Sequence, residues 1–267
     1  MFDSERNQRE ENADALTEQG SIYFESDEYD LALDCFKDAL AIYREIANRE
    51  GEANSLNNIG LIYYHQDDFR HSLEFYLQSL AIHQELENLN AEGQTLNNIG
   101  GVFFDLGDIE RALDYFNRSY AILMQTNNLE GQANLLSNFG MVFSSQRNYD
   151  QALKSYQKAL EIHRNLDSQD GMRATMYDIA ETLKLLQRNE DALIYYKESL
   201  ELHRQTDEYY GQGLILYNMA EVYEQAGDVE KAKEHYQLSL RVQRILNNKE
   251  GIELIDRNLR RLESSKR

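Results

Sequence analysis

The sequence predicts an all-α solenoid, and two observations predict it. Residues 11 to 250, written in rows of 40, align six times without a gap, and a fixed period of that length marks a chain built from stacked copies of one supersecondary unit. Within a row, Leu56, Ile59, Gly60 and Tyr63 follow helical spacing, Gln66 to Asp68 break it, and Leu73, Tyr76, Leu80 and Ile82 resume it. Each row is therefore a pair of antiparallel helices. With no proline, no tryptophan and 42% hydrophobic residues, the composition favours helix and supplies enough apolar material for a core.

The predicted organisation is a polar lead-in over 1–10, six repeats over 11–50, 51–90, 91–130, 131–170, 171–210 and 211–250, and a capping helix over 251–267. In the cap, Ile252, Ile255, Leu259 and Leu262 form one face, with Arg257, Arg260 and Arg261 opposite. Small and large residues alternate by column. Gly51, Gly131, Gly171, Gly211 and Gly251 share one, Ala91 replacing glycine in the remaining row; Gly20, Gly60, Gly100 and Gly140 share another, continued by Ala180 and Ala220. An aromatic column runs through Phe36, Tyr76, Phe116, Tyr156, Tyr196 and Tyr236. The small column lets the second helix approach, and the rings are expected to fill the space between successive pairs.

Charge narrows the partners. Against 47 acidic residues stand 27 basic ones, a formal charge of -20, which repels nucleic acid and anionic lipid at long range. The first residues, MFDSERNQREEN, lack the apolar stretch of a signal peptide, and no segment approaches the ~20 apolar residues of a membrane span. A soluble, cytoplasmic protein without cofactor is expected. Cys35, the single cysteine, falls on an apolar helix face and is expected in the core.

Catalytic signatures do not emerge: the chain has no Walker-type phosphate loop, no G-x-S-x-G elbow and no H-E-x-x-H. His83, His163 and His203 are equivalent in three repeats, but neighbouring helices lie ~8–10 Å apart and zinc ligands must sit ~2 Å from one ion. They are expected to pack near the ends of second helices. Asp178, Glu181 and Glu221 read as an acidic surface rather than a hydrolytic pair, so no enzyme activity is expected.

The small and aromatic columns, carried in one row by Gly60, Tyr63, Ser72, Tyr76 and Ser79, resemble the tetratricopeptide repeat over nearly the whole chain. Strings such as SLNNIGLIYY and TLNNIGGVFF are similar to the 40-residue variant of kinesin light chain, Pins-type polarity adaptors and the sensory regions of bacterial kinases and cyclases. The resemblance implies a right-handed superhelix whose first helices line the concave face. On that face one column reads Asn58, Asn98, Asn138, Asp178 and Asn218, preceded by Glu18. Beside it lie Asn57, Asn97, Ser137, Tyr177 and Tyr217, and one turn earlier Asn54, Gln94 and Asn134.

A carboxamide both donates and accepts, so it can satisfy the backbone of an extended peptide without reading side chains. Repeats ~10 Å apart would meet every third residue of a chain rising ~3.3 Å per residue. This resembles the asparagine ladder of O-GlcNAc transferase and of bacterial peptide-sensing receptors. Leu61, Tyr64, Phe104 and Met141 are the expected apolar anchors, and His65 should open on the groove. Asp178, Glu181, Glu221 and Glu224, with Lys184 as the main counter-charge, make repeats five and six acidic. The expected partner is a protein or extended peptide, neutral along repeats two to four and basic along five and six. The roles considered are an adaptor or scaffold, a receptor for a short signalling peptide, and the regulatory region of a larger signalling enzyme.

Overall fold

The computed structural model describes residues 2–206 and 208–264, with side chains from Glu5 onward. It is all-α, with thirteen helices and no strand among the described residues. In chain order the pairs are α1 (Phe2–Glu25) with α2 (Tyr29–Glu45), α3 (Arg49–His65) with α4 (Phe69–Glu85), and α5 (Leu89–Asp105) with α6 (Ile109–Gln125). They continue with α7 (Leu129–Ser145) and α8 (Tyr149–Asn165), α9 (Gln169–Leu185) and α10 (Asn189–Gln205), and α11 (Tyr209–Gln225) and α12 (Val229–Ile245), before α13 (Lys249–Ser264) closes the array. Residues 2–10, expected as a lead-in, are helical and lengthen α1. Of the expected cap, residues 265–267 lie outside the described residues.

Two compact units divide the chain, Met1–Asn138 and Phe139–Arg267, the division falling inside α7. In the first unit each helix from α1 to α6 packs on the next, and α3 also touches α5; in the second the same holds from α8 to α13. Each unit is thus a solenoid stack of helix hairpins. Phe36, Leu56, Ile59 and Ile62 belong to the core of the first unit. Tyr156, Ile179, Tyr196 and Ile215 belong to that of the second.

Helices of 17 residues and links of three give the backbone a period of 20, half the sequence period. The middle residue of a link takes a left-handed conformation, as Asp67 (φ 58) and Gln187 (φ 58) do, and only Gly107 and Gly227 among the described links do so with glycine. Asp67 N–H donates to Tyr64 O (3.0 Å) and Asp68 N–H to Tyr63 O (2.9 Å), the bonding that closes a helix C-terminus through a left-handed residue. At several links the third residue then caps the next helix, although Glu28, Asn148 and Arg188 make no such side-chain bond. Asn48 Oδ1 accepts from Gly51 N–H at 2.8 Å, and Asp108 Oδ1 from Arg111 N–H at 3.0 Å.

The small columns are small because a ring or side chain lies on them. A methyl group at Gly60 would come within 2.7 Å of the Tyr76 ring, and Gly20 and Gly100 meet Phe36 and Phe116 in the same way. The aromatic column therefore fills the space within a pair, against its own first helix, rather than only between successive pairs. At the other glycine column, Gly51 lies under Tyr43, Gly171 under His163 and Gly211 under His203. The histidine column is accordingly buried: His83 is 1% and His163 3% exposed. Cys35 is half-buried rather than in the core.

A hydroxyl bond recurs beneath these contacts. Ser79 Oγ donates to Ala53 O (2.8 Å), Ser119 to Gly93 O (2.7 Å), Ser199 to Arg173 O (2.9 Å) and Ser239 to Gly213 O (2.7 Å), each joining second helix to first.

Candidate functional site

On the first unit the amide columns interlock. Asn98 Nδ2 donates to Asn57 Oδ1 at 3.2 Å and Asn138 Nδ2 to Asn97 Oδ1 at 2.8 Å, so each amide reaches the neighbouring column one repeat earlier. Such a bond uses one of the two N–H groups of the donor and leaves its second N–H and its carbonyl for another partner. Asn54, Gln94 and Asn134 stand exposed one turn earlier, and Asn58 is half-buried.

Leu61, Tyr64, Asn97, Asn98 and Asn138, all expected at the site, line one cleft of about 170 Å³ together with Tyr76 and Gly101. Gly101 is unlike most glycines of the chain: a methyl group placed there would meet nothing within 4 Å. Tyr64 OH donates to Asp105 Oδ2 at 2.5 Å across the α3–α5 contact, and burial followed by that carboxylate bond pushes its phenol pKa up. His65, which does not line this cleft, stacks on Tyr29 (5.6 Å) and meets Phe24 edge-on (5.0 Å), and burial lowers its pKa. Phe104 is half-buried, whereas Met141, at 39% exposure, belongs to the second unit. Neither lines this cleft.

The second unit replaces amides with a charged lattice. Lys184 Nζ lies 3.1 Å from Glu181, 3.3 Å from Glu221 and 3.1 Å from Asn218 Oδ1. Asn218 Nδ2 donates to Tyr177 OH at 2.9 Å, repeating the one-repeat reach of Asn98. Tyr196 OH donates to Glu181. Asp178, in the asparagine column, has its pKa pushed up to about 7 by burial and then by the Glu181 carboxylate.

Towards the C-terminal end, Tyr217, Glu221, Glu224, Gln225, Tyr236, Asn258 and Arg261 surround a hollow of about 360 Å³. Arg261 grips Glu224 with two bonds (2.5 and 2.9 Å), and Asn258 Nδ2 donates to Tyr217 OH at 3.1 Å. Asn258 and Arg261 were missed by sequence reasoning, although each stands 40 residues beyond Asn218 and Glu221. The asparagine column thus continues past the sixth repeat into α13. Glu181, Glu221 and Glu224 are thus ion-paired within the unit. Leu214 and Leu254, at 37% and 42% exposure, occupy the column that holds Asn54, Gln94 and Asn134 in the first unit.

A stack of 40-residue helix hairpins with interlocked polar side chains on its first helices defines a helical-repeat scaffold. The family model for the tetratricopeptide repeat matches residues 11–85, 91–165 and 171–245. The chain belongs to the tetratricopeptide repeat family. No curated protein matches it. Among solved structures it is similar to BtubC (BKLC) from P. vanneervenii, at 16% identity and TM-score 0.68 over 91% of this chain and 92% of that one. A Rap protein complexed with competence and sporulation factor aligns at 18% identity and TM-score 0.69 over 94% and 74%. The apo quorum sensor NprR from B. thuringiensis aligns at 19% and 0.61 over 93% and 75%. Among the described residues no helix is long and apolar enough to cross a membrane.

Proposed function

We propose that this chain is a peptide-binding module that holds an extended segment of a partner on its first-helix face, meeting the segment's backbone with carboxamides over repeats two to four. The observation that carries the reading is the interlocked amide pair. Asn98 and Asn138 each commit one N–H to the preceding repeat, which fixes their orientation before any ligand arrives, and groups held in place lose less freedom on binding.

At the second unit the ligand is proposed to be basic. Its side chain takes Glu224 over from Arg261, whose side chain is 56% exposed and is released to water at little cost. Glu181 and Glu221 share Lys184 and hold less free charge than their number suggests. The Rap protein complexed with competence and sporulation factor and the quorum sensor NprR support a signalling setting. This chain would be a receptor for a signalling peptide or the sensory region of a larger signalling protein.

The test is binding of labelled extended peptides, basic, neutral and acidic, to wild type and to an Asn58→Ala, Asn98→Ala, Asn138→Ala triple variant of unchanged helicity. Ser79→Ala, which loses a bond away from this face, serves as a stability control. Binding lost only in the triple variant supports the groove. Equal binding by all three proteins would make the amides structural alone.

A further inference from the structure

Gly101 lies inside α5, where glycine is the least favourable residue after proline. The other buried-face glycines have a steric reason: Gly100, next to it, lies under Phe116, and Gly93 lies under Leu123. Gly101 has none, since a methyl group there would meet nothing within 4 Å. Its column otherwise carries Ser21 in the first repeat and then Leu61, Met141, Glu181, Glu221 and Arg261, long side chains in every later row. The missing side chain opens the cleft of about 170 Å³ bounded by Leu61, Tyr64 and Tyr76, with the amides of Asn97, Asn98 and Asn138 beside it.

We infer that Gly101 creates a side-chain pocket on the first unit that selects one large apolar residue, leucine- to phenylalanine-sized, in the bound segment. This rests on the peptide-binding reading and adds a specificity determinant to it. Leu61 and the two tyrosine rings offer apolar walls, while Asn98 and Asn138 keep a carbonyl and an N–H each for the backbone on either side of the inserted residue. A cleft of this volume exceeds what a single water fills and suits one side chain rather than a folded surface. The helix tolerates glycine here because the space it leaves is used by the ligand.

The probe is an array of nonapeptides whose central residue is Ala, Leu, Phe, Lys or Glu, with flanks drawn only from Ala, Gly, Ser, Thr and Asn. Wild type is expected to bind the Leu and Phe peptides about tenfold more tightly than Ala, the effect of burying one apolar side chain. Gly101→Leu refills the notch. It should bind Leu, Phe and Ala peptides alike and melt no lower than wild type. Gly101→Ala should fold at least as stably and lose affinity for Phe before Leu. A Gly101→Leu protein that keeps the tenfold preference overturns the pocket. Wild type that binds peptides without central preference also overturns it while leaving the groove reading standing. If wild type retains no peptide, both fall.

Discussion

The ring of Tyr76 occupies the space above Gly60, so close that a methyl group on the glycine would lie 2.7 Å from the ring. Tyr76 is itself 1% exposed, so any shift of its ring disturbs the buried groups packed around it. Gly60→Ala should therefore destabilise the protein by about 1–3 kcal/mol, the usual effect of overpacking, despite the ~1 kcal/mol that alanine gains in a helix interior. Gly101→Ala, with open space around it, should stabilise by up to about 1 kcal/mol. Urea denaturation midpoints of the two variants should move in opposite directions; movement in the same direction would sever the small column from its rings.

Ser79 and Ser239 donate buried hydroxyl bonds to carbonyls of their partner helices. Ala39 and Ala159 occupy the same column in other repeats, so the bond is helpful rather than required. Ser79→Ala or Ser239→Ala should each cost about 1 kcal/mol, and the double variant should cost the sum, since the sites lie in different units. Denaturant titration with an unchanged slope checks both.

The repeat was legible because its columns obey steric rules visible in one dimension: a glycine every 40 residues implies something large above it, and Tyr43, His163 and His203 prove to be those groups. The 20-residue backbone period was hidden. Its links turn through left-handed residues as unlike as Ala47, Glu87 and Arg147, because stacked helices on both sides impose the turn and local composition does not. At the site, the amide columns could be read by register, but not that Asn98 spends a donor on Asn57, since which amide reaches which depends on the stagger between repeats. Lys184 was visible as a counter-charge. Arg261 was assigned to the outer face of the cap, yet α13 repeats the first-helix geometry and turns it onto Glu224.

Asp178 provides a pH dependence. Burial first, then the neighbouring Glu181, raise its carboxyl from 3.8 to about 7 in the folded protein. Between those values the folded state holds a proton that the unfolded state has lost, so stability falls as pH rises from about 4 to 7 and the loss is complete above that range. Asp178→Asn, which restores the amide of Asn58, Asn98, Asn138 and Asn218, should remove this slope and gain at least ~1.4 kcal/mol at pH 8, the equivalent of one pKa unit. Denaturation midpoints of wild type and variant measured from pH 4 to 8 should converge at the acid end. Parallel curves would mean that Asp178 titrates normally.

Arg261 and Glu224 give the last prediction, on ligand charge. Their two bonds join α13 to α11 beside the hollow lined by Tyr217 and Tyr236. Because the arginine is largely solvated, the pair contributes ~0–1 kcal/mol to folding, so Arg261→Gln should leave the melting temperature within a few degrees. It should nevertheless free Glu224 for a basic ligand side chain. Binding of a lysine- or arginine-bearing peptide should tighten severalfold, with a steeper loss of affinity as salt is raised, whereas a neutral peptide should be unaffected. Glu224→Gln should reverse the effect on the basic peptide alone. Unchanged affinity for the basic peptide in both variants would remove Glu224 from the ligand's path and leave the Arg261 pair as a tie between the last two helices of the face.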